Sequence, residues 1–392
     1  ENLTVGIIPR HIWSDLPIEQ VPFSDRNTNP IGSGPYTIKT IIRNSGGIIQ
    51  SYLLQRFSEY FNQPNITTIE TKFYQNETDL VAGYEQKQFT HSAYFPTSYL
   101  TNLTNDKSVQ VSTIPIPRVF AVFLNQNRTP ALRDIGARQA LHQAIDREAL
   151  VNTILFGYGV PTTTPLPESL RAVELQSTST TVERLSTPTE QAIATLTNAG
   201  WRKNDNGIWE KRVAGDVITL QFTLRTANNP LFEQTANRLA EAWRAVGIPV
   251  QVEQYEQSAL LQNVIRPRDY ETLLFGLEMG RAVDLYPFWH SSQREDPGLN
   301  IAQYANIEVD RLLTEARKNN DLEQRKTLSN QVNAIIANEY PAVFLFTPSI
   351  SYVTPALSVI PDLDMISRPH ERFMNIETWY NHNEKVWPIF QE

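Results

Sequence analysis

Four carboxylates, Glu278, Asp284, Glu295 and Asp296, crowd one stretch of the chain around Trp289 and His290. Two carboxylates facing one another can act as acid and base on a glycosidic bond. The plainer reading is a polar loop at the end of a strand. A third reading ranks above both. Leu273 to Leu277 is an apolar run of strand length, and it delivers the loop to the carboxyl edge of a sheet, where open α/β folds place their ligands. The stretch therefore reads as a binding loop.

Other chemistries find no support in residue type or spacing. Six histidines occur (His11, His91, His142, His290, His370 and His382), none with a partner at metal-motif spacing. Gly32-Ser33-Gly34 lacks the third glycine of a dinucleotide fingerprint, and Pro35 follows where a helix must open. Cysteine is absent, which removes disulfides and thiolate nucleophiles together. No catalytic residue, metal or cofactor is expected. Asn2, Asn65, Asn76, Asn102 and Asn127 begin Asn-x-Ser/Thr triplets, but Asn and Thr are common here and chance explains them.

The elements that must position the loop are legible in part. Thr37–Ile42 and Ile66–Tyr74 read as strands, and Asp79–Tyr84 as a short helix. Val119–Leu124 is continuously apolar, as in a strand covered on both faces. Asp134 caps one amphipathic helix carrying Ile135, Leu141, Ile145, Val151 and Ile154. Residues 161–187 are a Pro-, Thr- and Ser-rich excursion, after which Thr187-Pro188-Thr189-Glu190 forms a capping box and Gly200 a stop. Ile218 to Leu224 alternates as a strand. A helix from Pro230 to Val246 ends at Gly247 and returns as a strand, Ile248–Tyr255, the order of a right-handed crossover. Val309–Ala316 and Leu322–Ile336 read as helices, and Pro341–Phe346 as a last apolar strand. Residues 355–392 cannot bury enough apolar surface alone and should pack back on the first segment.

Composition sets outer bounds. The 392 residues imply two to three domains, with 41% hydrophobic and 19% charged residues as in ordinary globular proteins. A net charge of −8 disfavours nucleic acid as a partner. No apolar run reaches the length of a membrane-spanning helix. Glu1-Asn2-Leu3-Thr4 lacks the basic and apolar regions of a secretion signal.

Taken in order, the motifs resemble a family. Asn29-Pro30-Ile31-Gly32-Ser33-Gly34-Pro35-Tyr36 resembles the N-P-x-G-T/S-G-P-Y signature of family 5 extracellular solute-binding proteins, the peptide, oligopeptide and nickel receptors of ABC importers. Asn125, Leu132-Arg133-Asp134, Arg138-Gln139-Ala140-Leu141 and Ala144-Ile145-Asp146-Arg147 are similar to a second block. Gly200-Trp201 with Asp205 to Trp209, the region Asp284 to Asp310, and Pro341 to Phe346 resemble three more. There are departures. Members carry a sizeable segment before the glycine–proline signature, so this chain is similar to one lacking its N-terminal part. Of the family's paired D-x-D-P, only Asp284 remains.

The resemblance implies an α/β, two-lobed periplasmic-binding-protein-like (type II) architecture whose first lobe is incomplete and discontinuous. Residues 1–125 form the rest of the first lobe, 126–347 the second, and 348–392 the return. Crossings are expected near Leu124–Arg128 and Phe346–Ser351, with Asn125, Phe346 and Thr347 as hinge residues. A peptide-like ligand is shut between the lobes and handed to permease subunits of an ABC transporter. The setting is extracytoplasmic (periplasm or cell surface) and the protein a monomer. It meets the membrane only through the permease or a lipid anchor outside this chain. Phe275, Gly276, Leu277 and Glu278 pair with the ligand backbone, Asp284 holds an ammonium, and Arg281 or His290 meets a carboxylate. Trp289 offers a flat wall or packs between the lobes. The alternatives are an oligosaccharide receptor of the same fold, a module that binds protein partners and, further off, a hydrolase.

Overall fold

The computed structural model describes residues 8–166, 186–280, 284–360 and 366–381. By its contacts the chain divides into two units. Unit 1 comprises Glu1–Ser112, Tyr352–Leu363 and His370–Glu392; unit 2 comprises Thr113–Ser351 and Asp364–Pro369.

Unit 1 begins with α1 (Arg10–Trp13) and an antiparallel sheet of β1 (Tyr36–Arg43), β2 (Ile49–Arg56) and β3 (Thr68–Lys72). Of these strands only Ser51 is fully buried. Next come α2 (Glu77–Glu85), N-capped by the Asn76 side chain, and α3 (Thr97–Leu103), which turns Leu100 and Leu103 inward. Tyr84, Phe89 and Phe95 pack ring on ring, with centroids 5.0–6.1 Å apart. The chain leaves this unit within β4 (Val109–Pro115).

Unit 2 opens on β5 (Arg118–Leu124), buried from Val119 onward as its apolar run requires. The single helix expected after Asp134 is two, α4 (Ile135–Gln143) and α5 (Arg147–Ile154). Asp146 breaks it by accepting the Ala149 amide as an N-cap, while Arg147 donates to the carbonyls of His142 and Ile145. The short β6 (Gly159–Pro161) follows, and the excursion beyond 166 lies outside the described residues until 186. Then α6 (Pro188–Asn198) starts at the expected box: Thr187 Oγ1 accepts the Glu190 amide (3.2 Å) and Glu190 accepts the Thr187 amide (2.7 Å).

A small sheet of β7 (Arg202–Lys203), β8 (Trp209–Val213) and β9 (Asp216–Thr219) comes next. The strand expected over Ile218–Leu224 is divided. The first part, β9, pairs with the β8 hairpin; the second becomes β10 (Phe222–Ala227) in the large sheet, with the Leu220 amide turned to Trp209 between them. From β10 the chain runs through α7 (Pro230–Val246) to β11 (Val250–Tyr255), and Gly247 ends the helix at φ 97°, a left-handed conformation that costs glycine little. The segment α8 (Gln257–Ala259) leads to β12 (Thr272–Glu278). After it come α9 (Tyr286–Trp289), α10 (Ile307–Lys318), α11 (Leu322–Glu339), β13 (Ala342–Pro355), β14 (Ser358–Val359) and β15 (Tyr380–Asn381). Within β13 the chain passes back to unit 1.

The large sheet has the order β11-β10-β12-β5-β13-β4, with β6 on β13. Strands β11, β10 and β12 are parallel, and β12, β5 and β13 antiparallel. Alternation along β5 feeds two cores. Phe120, Val122 and Leu124 face one with Leu141, Trp201 and Trp243; Val119, Ala121 and Phe123 face the other with Trp289, Leu312 and Ile336. Of the C-terminal residues, Trp379 packs against Tyr352 and Phe373 in unit 1, and β14 pairs with β15.

Candidate functional site

Strand β12 pairs unequally on its two sides. Toward β5 it pairs along its whole length, from Thr272↔Leu124 to Glu278↔Arg118. Toward β10 the ladder holds Leu224↔Thr272 and Arg225↔Leu273 and stops. The Thr226 hydroxyl donates to the Leu274 carbonyl (3.1 Å). Beyond it, among the described residues, no strand flanks Phe275–Glu278 on that side. The end of β12 is thus an open backbone edge inside an otherwise paired sheet.

Its side chains suit that position. Phe275 is half-buried, its ring stacked on Phe232 with centroids 6.3 Å apart and planes at 20°. Leu277 is buried. At Gly276 a Cβ would stand 3.4 Å from the Phe120 ring, so glycine lets that ring lie over the strand. Glu278 is exposed and charged. Its Oε2 accepts from Arg118 at 2.5 Å, and Arg368 stands 3.8 Å from Oε1.

The residues after β12 form a second group. Arg281 lies outside the described residues. Asp284 Oδ1 accepts the Tyr286 amide (3.0 Å), and Oδ2 accepts from Arg317 Nε (3.0 Å). The Arg317 guanidinium sits 3.9 Å over the Tyr286 ring, which stacks on His290 at 4.1 Å. His290 Nδ1 accepts the Ser292 amide (3.1 Å), and Asp310 accepts from the Ser291 amide (2.8 Å) and hydroxyl. Trp289 is 1% exposed and packs among Phe123, Tyr304 and Phe344, so within unit 2 it is a core residue rather than a wall.

The most motif-like residues turn out to hold backbone. Arg138 donates to the carbonyls of Glu339 (3.0 Å), Leu132 and Arg133 (2.9 Å each) and to Gln126 Oε1 (3.2 Å). Arg147 Nε reaches the carbonyls of Thr162 (3.1 Å) and Phe344 (2.7 Å), tying α5 to β13. Asp134 caps α4 and also accepts from Lys211 (2.6 Å) and Trp201 Nε1 (3.1 Å). Burial works against its charge, but these hydrogen bonds prevail and hold the carboxyl below its usual range.

The residues expected at hinges are inside unit 2. Asn125 is 1% exposed and bonds the Arg268 carbonyl; Phe346 and Thr347 are 0% and 2% exposed on β13. By its contacts the chain divides at Ser112/Thr113, ahead of the expected Leu124–Arg128 crossing, and at Ser351/Tyr352, at the end of the expected Phe346–Ser351 one. Sequence reasoning named neither Arg118 nor Arg368. Arg118 was findable once β5 and β12 were taken as neighbours; nothing local marks Arg368.

Among the described residues, unit 2 offers two concavities of note. One of about 660 Å³ lies at the amino ends of the parallel strands, lined by Phe222, Arg244, Gly247, Val250 and Glu271, at the other end of β12 from Glu278. Another, of about 470 Å³, is lined by His290, Ile307, Asp310, Thr314 and Lys318. Ligands of open α/β sheets gather at the carboxyl ends of strands, so the larger hollow is not the candidate. Among the described residues no group of three or more potential metal ligands occurs, and no helix is long and apolar enough to cross a membrane.

Comparison with known proteins gives consistent matches. A family model described as bacterial extracellular solute-binding proteins, family 5 Middle, matches residues 8–295. The oligopeptide-binding protein AppA of Bacillus subtilis (strain 168) is 27% identical over 383 residues, covering 96% of this chain and 67% of that protein. The dipeptide-binding protein of Escherichia coli (strain K12) is 21% identical, covering 81% of this chain and 56% of its own length. The nickel-binding protein NikA of Staphylococcus aureus is 20% identical, covering 82% of this chain and 60% of its own. This chain thus spans little more than half the length of two of these relatives. Among solved structures, AppA from Bacillus subtilis in complex with a nonapeptide superposes with a TM-score of 0.67 at 26% identity, covering 96% of this chain and 72% of that one. A putative peptide-binding protein AppA from Clostridium difficile gives 0.74 at 18% identity, covering 95% and 72%, a likeness of fold. The α/β periplasmic-binding architecture expected from the motifs is the one found.

Proposed function

The chain belongs to the bacterial extracellular solute-binding proteins of family 5, and on that premise we propose that it captures a peptide-like solute for the permease subunits of an ABC importer. The observation that carries the proposal is the open flank of β12, where Phe275–Glu278 have a strand neighbour on one side only. An extended peptide supplies the missing main-chain partners, and such pairing is indifferent to side-chain identity. Phe275, Gly276, Leu277 and Glu278 make up this surface. Asp284 and His290 border it in sequence, with Arg281 between, and Trp289 supports them from the core.

The output is binding rather than bond-making. Ser291, His290 and Asp310 are the right residue types for a hydrolytic triad, but their bonds are wrong for one. The serine hydroxyl donates to Asp310 directly, and His290 Nδ1 is taken by a backbone amide. No serine–histidine contact of a triad results. The protein works outside the cytoplasm, in the periplasm or at the cell surface, as a monomer. The oligopeptide- and dipeptide-binding relatives support a peptide-like cargo.

Calorimetric titration with a mixed tetrapeptide pool tests this, run beside oligosaccharides and an assay for peptide hydrolysis. The expected result is saturable one-to-one binding of peptide, no competition from sugars and no product. Competition by oligosaccharides would move the cargo class. Turnover without stoichiometric binding would overturn the reading.

A further inference from the structure

Among the described residues, the end of the open edge gathers two guanidiniums around one carboxylate. Glu278 and Arg118 are cross-strand partners, each side chain a little over a third exposed (37% and 38%). Arg368 comes from a distant part of the chain. Residues 366–369 belong to unit 2, although 352–360 before them and 370–381 after them belong to unit 1. Ile366 is 0% and Ser367 7% exposed, so this return is anchored, and it sets Arg368 beside Glu278. Two guanidiniums therefore share one carboxylate. Arg118 already donates to it at 2.5 Å, whereas Arg368, 67% exposed, only approaches it at 3.8 Å. The next acidic side chain along, Asp284, is held by Arg317.

From this arrangement we infer that the Arg118–Glu278–Arg368 cluster recognises a carboxylate of the solute, with Arg368 as its principal donor. The inference rests on the peptide reading above and narrows it to carboxylate-bearing solutes. A guanidinium offers a planar fork of N–H groups that matches a carboxylate in two parallel bonds. Glu278 holds Arg118 in place and screens one of the two positive charges. Among the described residues two guanidiniums meet one carboxylate, and that surplus favours an anion over an ammonium.

The test uses the full chain and three tetrapeptide pools, measured by calorimetry at low and high salt. One pool has free carboxyl termini, the second is the same pool amidated, and the third has its Asp and Glu replaced by Asn and Gln. Loss of affinity on amidation identifies a main-chain carboxylate; loss in the third pool identifies a side-chain one. Either loss should be about tenfold, the size of a charge-assisted hydrogen bond at a partly exposed site. R368Q should reduce the discrimination to about twofold or less, while R368K, which keeps the charge, restores part of it. Circular dichroism should show both variants folded, as expected for an exposed side chain. Equal affinity for all three pools, or full discrimination retained in R368Q, would overturn the inference and leave the peptide reading intact. No binding of any pool would end both.

Discussion

Arg138 and Arg368 both serve unit 2, but in opposite surroundings. Arg138 is 7% exposed, and its guanidinium meets three backbone carbonyls and one side-chain amide oxygen. Arg368 is 67% exposed and, among the described residues, has one carboxylate at 3.8 Å. The first fastens the turn before α4 to the end of α11, two segments far apart in the chain. The second leaves its donors toward solvent, where a guest can use them. The contrast shows what the conspicuous sequence blocks are for. Asp134, Arg138 and Arg147 stand in the most recognisable motif, and all three hold the chain to itself.

The inner set should therefore be costly to break and silent in binding. R138M strips donors from the buried carbonyls of Leu132, Arg133 and Glu339, and should lower unfolding free energy by about 3–4 kcal/mol. Urea denaturation measures the loss. The protein that remains folded should bind peptide with wild-type affinity. A loss under about 1 kcal/mol, or a change in affinity, would erase the difference between the two regions.

The same inner region carries a pH signature. Burial and the neighbouring Arg147 push His142 down to about 3 from 6.5, outweighing its contact with the Thr163 carbonyl. The folded protein keeps this imidazole neutral, whereas the unfolded chain takes up a proton below 6.5. Its contribution is therefore complete above that pH and is lost as pH falls toward 3. Between about pH 7 and 5 the wild type should lose about 2 kcal/mol that H142Q does not. Parallel slopes in denaturant midpoint against pH for the two proteins would contradict this. Peptide affinity, which on the proposed reading is set at β12, should not follow the slope.

What could be read in advance, and what could not, divides along similar lines. The box at Thr187 and Glu190, the stop at Gly247 and the buried run of β5 are local effects: a cap, a left-handed turn, a stretch with nothing polar to expose. Each was legible because its cause lies within a few residues. The break at Asp146 was not, because an aspartate within a helical pattern can face solvent or turn to cap, and Arg147 decides through carbonyls in β13 and beyond β6. Trp289 was ambiguous for the same reason. Beside a histidine and carboxylates, an indole suits a ligand wall or a core equally, and only Phe123 and Phe344 from other strands settle which. The open flank of β12 is a fact of register with β10, and the arrival of Arg368 a fact of the chain's return; neither has a local signature. The fold class and the strand that bears the candidate site were readable, with Glu278 at its end, while the two arginines gathered at that tip were not.

Asp284 offers the finest cut between the regions. By position it looks like an ammonium anchor, following β12 and close to His290. By contact it resembles the inner set, since it receives the Tyr286 amide and the guanidinium of Arg317. Its side chain is 23% exposed and that of Arg317 41%, so their pair lies near the surface and should contribute about 1 kcal/mol or less. In D284N the amide oxygen can still accept the Tyr286 amide, and Arg317 can remain over the Tyr286 ring. Stability should thus fall only slightly, and affinity for peptides with a free amino terminus should stay within about twofold, because a carboxylate already bound to a guanidinium presents little net charge to a second cation. A tenfold loss, absent as a difference between wild type and variant once the peptide's amino terminus is acetylated, would make Asp284 a ligand group after all. The boundary between clamp and edge would then run through Arg317, which would have to release the carboxylate for the guest to bind.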